Sequence, residues 1–300
     1  MNIGRCNKHG YEECKFSNID VKFLVYHWKA DCFVLCEQET ESVNLLEVGK
    51  KIVNWEVFSD KKLASVRVVD LLQEALDVYP PVIGLATGKT MVPIYDEMVH
   101  RILTGQLDLS MAQMYNLDEY LGMGREDPNS FAKFMMTHLI DPGKLQPDQL
   151  HIPNGKADPI RESDNYEVAM RCADQVSWQL VGIGHNGHIG FNEPGTPWDS
   201  LTHVVPLTLS TRMANAVWFH NDVDQVPTMA ITMGLGTIMR SQSIVAVAFG
   251  EDKADIIAQI QASAPTRVIP ASILKTHPHA TFICDAKAGR FLPIDSDDHD

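Results

Sequence analysis

Apolar positions along the chain alternate between two periods. Residues 60–78 place Leu63, Val66, Val69, Leu71, Leu72 and Leu76 at helical spacing. After Pro80 and Pro81 comes the short apolar run 82–86, which reads as a buried strand. Thr87-Gly88-Lys89-Thr90 then opens a helix through residues 92–103. Further strands are expected at 112–117, 178–184, 228–234, 243–250 and 280–284. Helical patterns fall near 161–174 and 208–219 and after Glu251. Strands alternating with helices predict an α/β fold: a three-layer, Rossmann-like, mainly parallel sheet with helices on both faces.

The first 45 residues differ in character. They hold four of the six cysteines, and the strand formers of 21–38 are interrupted by Lys29, Ala30 and Asp31. This stretch reads as two short strands or a β-hairpin. Residues 1–45 are therefore expected to be a β-rich extension, 46–290 the main domain, and 291–300 an acidic, solvated tail.

Composition narrows the class. Hydrophobic residues make up 45% and charged residues 21%, an ordinary globular balance. The 25 Lys and Arg against 39 Asp and Glu leave a formal charge of −14, which disfavours nucleic acid as a partner. An anionic ligand then needs a local positive pocket. No apolar run approaches the ~20 residues that span a bilayer, and the N-terminus lacks a secretory pattern. A cytoplasmic location with free thiols and no membrane partner is expected.

Three candidate sites follow expected strands, where open α/β sheets bind ligands. Thr87, Gly88, Lys89 and Thr90 form a turn through which backbone N–H groups approach an anion. It lacks the Walker A spacing, and such a turn also serves as a plain strand–helix connection. Asp118 and Glu119 would sit on the rim of the sheet, as a general base or as a helix cap. The densest cluster is Gly182–Pro194, with His185, Asn186, His188, Asn192 and Glu193 among four glycines. The spacing of His185, His188 and Glu193 matches no standard zinc pattern, and neither does that of Cys6, His9, Cys14, His27, Cys32 and Cys36. No metal is expected.

The strings TGKT (87–90), NLDEY (116–120), GIGHNGHIGFNEP (182–194), VPTMAITMGLGTI (226–238), GEDK (250–253) and PASILKTHP (270–278) follow one another as in the glucosamine-6-phosphate deaminase family. The chain resembles that family over roughly 46–290. The related 6-phosphogluconolactonases usually end the histidine loop without Asn-Glu-Pro. The resemblance implies conversion of glucosamine 6-phosphate and water to fructose 6-phosphate and ammonia, by a homo-oligomer without organic cofactor. It implies Asp118 as the base that moves the C2 proton to C1 and His188 as the group that opens the sugar ring. Glu193 and Asn186 would hold and tune His188, with the Glu193 carboxylate supplying the charge. Thr87, Gly88, Thr90 and Lys253 would hold the phosphate.

Two departures stand out. The family usually has a small residue at Lys89 and an arginine at Val217, so Lys89 is expected to supply the missing charge. Arg212 is expected on a different helix face. His203 and Val205 fall where activated members carry cations, so activation by an amino-sugar phosphate is expected to be missing. Three other readings remain open: a deaminase of another phosphorylated sugar such as galactosamine 6-phosphate, a silent sugar-phosphate sensor, and a lactonase-like hydrolase.

Overall fold

The computed structural model describes residues 53–76, 81–173 and 175–293, together with the backbone of three strands nearer the N-terminus. Those strands are β1 (Tyr11–Phe16), β2 (Ile19–Trp28) and β3 (Asp31–Cys36), paired antiparallel in the order β1-β2-β3. The chain divides into two units, residues 1–50 and 51–300. The side chains of the N-terminal cysteine and histidine set, and the tail from 294 onward, lie outside the described residues.

The second unit is built on a seven-stranded sheet. Its strands are β4 (Asn54–Phe58), β5 (Val82–Leu85), β6 (Gln113–Asn116), β8 (Leu150–His151), β9 (Trp178–Gly182), β12 (Ser243–Ala248) and β13 (Ala280–Asp285). They run parallel in the order β4-β13-β12-β9-β5-β6-β8. Every residue of β5 is buried, as is β12 from Ile244 onward. Parallel strands covered on both faces read as continuous apolar runs, and these two do. Helices α1 (Lys61–Glu74), α2 (Val92–Leu103), α4 (Pro159–Cys172) and α7 (Ala254–Ala262) pack around the sheet. The expected α/β architecture is borne out.

Helix boundaries follow from capping chemistry. Asp60 accepts the backbone N–H groups of Lys62 and Leu63 and starts α1. Asp158 does the same for α4 through Arg161, with Pro159 at the first helical position. The buried face of α1 carries Ala64, Val68, Val69 and Leu72. Leu63, placed on the apolar face by spacing alone, is half-exposed.

A smaller sheet departs from expectation. β7 (Asp118–Tyr120), β10 (His203–Pro206) and β11 (Met229–Thr232) pair antiparallel in the order β10-β11-β7. The 228–234 strand thus belongs to this sheet and not to the main one. Asp118 and Glu119 lie in a strand rather than on an exposed rim. Helices α5 (Leu209–Asn215) and α6 (Leu235–Ile238) flank this sheet in sequence, and α3 (Phe131–Met135) follows β7. Tyr120, Phe191, Val205, Leu207, Phe219 and Ala230 form a second hydrophobic core. Among the described residues no helix is long and apolar enough to cross a membrane.

Candidate active site

The loops leaving the carboxyl ends of β12, β9, β5 and β6, four adjacent strands, converge on one cleft of about 350 Å³. Thr87, Gly88, Lys89 and Thr90 come from the β5 loop, Asp118 from the β6 side, His185 and His188 from the β9 loop, and Lys253 from the β12 loop. Phe131, Thr211, Asn215, Val217 and Trp218 complete it. A larger cavity, about 570 Å³, opens at the opposite end of the sheet beside Asn54, Ser177, Trp178 and Ala280. There Lys275 donates to the Gln261 and Ser263 carbonyls, and the two ring nitrogens of His277 meet the Ser241 carbonyl and the His279 amide. Open α/β sheets bind ligands at the carboxyl ends of their strands, and we place the site there.

The β5 loop turns at Gly88, whose φ of +107° lies in a region that side-chain-bearing residues avoid. α2 begins four residues later, at Val92, as expected. Lys89 is exposed at the cleft and makes no hydrogen bond or ion pair among the described residues. Lys253 is half-buried there, and burial pulls its ammonium below the usual lysine range, against the nearby Asp252 carboxylate. Val217 reaches the cleft as an apolar residue. Arg212 points elsewhere: its guanidinium donates to the Val223 and Val226 carbonyls.

Asp118 is 5% exposed. Its carboxylate accepts no hydrogen bond among the described residues. Burial, and then the neighbouring Glu119 charge, hold its carboxyl well above the usual range. Glu119 has the opposite surroundings. It accepts the backbone N–H groups of Tyr120, Phe131 and Ala132, so it caps the start of α3. Burial still pushes it up to about 7 against those donors. Of the two roles open to this acidic pair in the sequence, the structure gives the cap to Glu119 and the cleft position to Asp118.

The β9 loop carries a hydrogen-bonded relay. His188 Nδ1 lies 2.7 Å from Asn186 Oδ1, and Asn186 Nδ2 donates to Glu193 Oε2 at 2.7 Å. Glu193 Oε2 is 3.8 Å from His188 Nδ1. The direct partner of the imidazole is therefore the Asn186 amide, with the Glu193 carboxylate one step behind. Because an amide oxygen only accepts, Nδ1 carries the proton and Nε2 offers a lone pair to the cleft. Burial drives His188 down to about 4, Glu193 opposes that, and Lys253 and His185 add to it. The ring lies against Gly184, where an added Cβ would sit 2.2 Å from its atoms, so glycine is required.

Sequence reasoning missed several members of the site. Thr211 donates to Glu193 Oε1, and Thr208 Oγ1 lies 3.3 Å from the same oxygen. His185 Nε2 is 2.7 Å from Asp252 Oδ2 across two loops. Thr208 caps α5, but Glu193 lies 15 residues away along the chain, with β10 between them. No group of three or more potential metal ligands occurs among the described residues. Cys172 and Cys284 are free thiols.

The seven-stranded parallel sheet with a cleft at its carboxyl ends places the chain among the open α/β proteins that bind ligands at that edge. Residues 62–283 match the family described as glucosamine-6-phosphate isomerases/6-phosphogluconolactonase, and the chain belongs to that family. It is 45% identical to glucosamine-6-phosphate deaminase of Lysinibacillus sphaericus (strain C3-41) over 203 residues, 67% of this chain and 85% of that protein. It is 44% identical to the deaminase of Leuconostoc citreum (strain KM20) over 227 residues, 75% and 94% of the two chains. The solved structure of a monomeric glucosamine-6-phosphate deaminase is similar with a TM-score of 0.77 at 34% identity, covering 79% of this chain and 99% of that one. A 6-phosphogluconolactonase from Trypanosoma brucei gives a TM-score of 0.67 at 15% identity, covering 81% and 99%, which shows the shared fold alone.

Proposed function

We propose that this protein is a glucosamine-6-phosphate deaminase, turning glucosamine 6-phosphate and water into fructose 6-phosphate and ammonia. The observation that carries this reading is one cleft that joins a buried carboxylate without donors to an imidazole with a free Nε2 and a half-buried lysine.

Each group suits one step. Ring opening needs a group that takes the proton of the anomeric hydroxyl and returns one to the ring oxygen. Neutral His188 does this at Nε2, while its Nδ1–H stays on Asn186 and the Glu193 charge behind stabilises the imidazolium. The open chain exposes a carbonyl at C1, which acidifies C2. Asp118 takes the C2 proton and returns it to C1. A carboxylate with no donors is a stronger base than one in water, because desolvation penalises its charge. The resulting C2 iminium adds water and releases ammonia.

Phosphate binding falls to Thr87, Gly88 and Thr90 through backbone and hydroxyl groups, with Lys253 as the fixed cation and Lys89 as the mobile one. Lys89 stands in for the arginine replaced by Val217, as a point charge in place of a bidentate fork. Arrival of a phosphate dianion offsets the Lys253 charge that helps hold His188 down.

The chemistry is assigned to residues 46–290, with 1–45 as an extension and 291–300 as a tail. The reading includes a cytoplasmic enzyme that lacks activation by an amino-sugar phosphate. It also includes a homo-oligomer. The deaminase at 34% identity is described as monomeric, so light scattering on the purified chain decides this part.

The test is ammonia release from glucosamine 6-phosphate, with galactosamine 6-phosphate in parallel and Asp118→Asn as control. Release from the gluco sugar that disappears in the variant is the expected result. Release from the galacto sugar alone would change the substrate and keep the mechanism. No release from either, with the protein folded, would overturn the reading in favour of a silent sugar-phosphate sensor.

A further inference from the structure

We infer that Thr211 is a positioning residue for ring opening: its hydroxyl holds Glu193 so that Asn186 presents its carbonyl to His188. The inference rests on the ring-opening role proposed for His188.

The relay ends in a carboxylate that is nearly out of water. Glu193 is 8% exposed and Thr211 5%. Asn186 donates to Oε2, which leaves Oε1 to two hydroxyls. Thr211 Oγ1 makes the short contact, and Thr208 Oγ1 lies 3.3 Å away. Each hydroxyl has one proton to give. Thr208 Oγ1 also lies 3.0 Å from Thr211 Oγ1 and 2.9 Å from Ser210 Oγ, so its proton has competing acceptors. Thr211 is thus the committed donor. A buried carboxylate oxygen stripped of its donor carries the full cost of desolvation.

The consequence reaches the imidazole through the amide. Asn186 turns its oxygen toward His188, where it also accepts the His188 backbone N–H at 3.2 Å, and its NH₂ needs an acceptor on the other side. An ionised carboxylate can only accept, and it fixes that orientation. If Glu193 turns away once its Thr211 donor is lost, the amide loses the acceptor for its NH₂, and a flip is no longer opposed from that side. Its NH₂ then faces Nδ1, Nδ1 becomes an acceptor, and the ring proton moves to Nε2. An Nε2–H cannot take a proton from the sugar. A neutral amide in the middle of the relay makes it directional, and Thr211 sets the direction from three hydrogen bonds away.

Thr211 also belongs to α5, and Asn215 at the end of that helix, with Val217 just beyond it, lines the cleft. The helix that borders the substrate and the relay that opens its ring therefore share one anchor.

The experiment uses the full chain with Thr211→Val, which keeps the shape and removes the hydroxyl, and Thr211→Ser, which restores it. Ammonia release from glucosamine 6-phosphate gives kcat and KM, and ¹⁵N shifts of the His188 ring in the absence of substrate give its tautomer. We expect Thr211→Val to lower kcat about tenfold, the scale of one hydrogen bond to a charged group, with KM within about twofold and the ring shifted toward Nε2–H. Thr211→Ser should restore both. Thr211→Ala replaces the valine variant if that does not fold. An unchanged kcat, a loss in KM alone, or a kcat loss with Nδ1–H retained would overturn the inference. If the wild-type chain releases no ammonia, the activity reading fails, and the substrate-free tautomer measurement still decides whether Thr211 sets the ring.

Discussion

Asp118 lines the cleft and Glu193 stands behind the loop that carries His188 into it, and each is more than nine-tenths buried. Their surroundings are opposite. Asp118, on the small antiparallel sheet, accepts no hydrogen bond among the described residues, and burial with the Glu119 charge raises its carboxyl far above the usual range. Glu193, on the β9 loop, receives Asn186 on one oxygen and two threonine hydroxyls on the other. A carboxylate left without donors is a base waiting for a proton. One saturated with donors is a fixed charge that orients its neighbour. Glu119, one residue from Asp118, has three backbone donors, yet burial still lifts it to about 7. What a buried carboxylate does here is set by its donors and its burial together.

The comparison breaks most directly at Asp118. Asp118→Asn should lower kcat by about 10³-fold, the middle of the range for a lost general base, measured as ammonia release. Activity within tenfold of wild type would remove the distinction between the two carboxylates. Glu193→Gln should cost about tenfold in kcat with KM little changed, since the amide still accepts from Asn186 but the charge is gone. A larger loss than at Asp118 would reverse the order of the two carboxylates.

The cations sharpen the picture at the other end of the substrate. Lys253→Ala should raise KM about tenfold and Lys89→Ala about threefold, because the half-buried charge is less screened than the exposed one. Equal effects would mean that both ammonium groups sit equally close to the phosphate.

Stability supplies two smaller effects. A carboxyl whose folded pKa lies above its unfolded value stabilises the fold at low pH and loses that contribution as pH rises through the folded value. Ionised Asp118 is therefore a burden at neutral pH, and Asp118→Asn should raise Tm by about 3 °C, the shift expected for ~1 kcal/mol in a domain of this size. His188 has the reverse sign. Its folded value of about 4 lies below the ordinary 6.5, so stability is complete above 6.5 and falls as pH drops toward 4. A His188→Gln variant should show a shallower loss of Tm between pH 6.5 and 4 than wild type. Parallel curves would mean that the ring is solvated.

Much of the fold was legible because periodicity reports burial. The 82–86 and 243–250 runs are parallel-sheet strands, and the 92–103 helix has the expected limits. The 228–234 run was legible as a strand but not as a member of the smaller sheet, because its partners are Asp118–Tyr120 and His203–Pro206, far away in the chain. Neither partner shows apolar alternation on its own. At the site, Gly182–Pro194 announced itself by its density of polar groups among glycines. Thr211 carried no such signal, since a threonine in the first turn of a helix is unremarkable until the fold brings Glu193 to it.

By itself the sequence determined which chemistry is present: an acid pair after one strand, a histidine loop after another, lysines after two more, and an order of motifs shared with one family. Those are local facts, set by neighbours within a few residues. Tertiary structure alone decided which acid is left without donors, that an amide stands between His188 and its carboxylate, and that α5 anchors the relay. Each of these depends on which groups meet after the chain has folded, and so does the free energy of a buried charge.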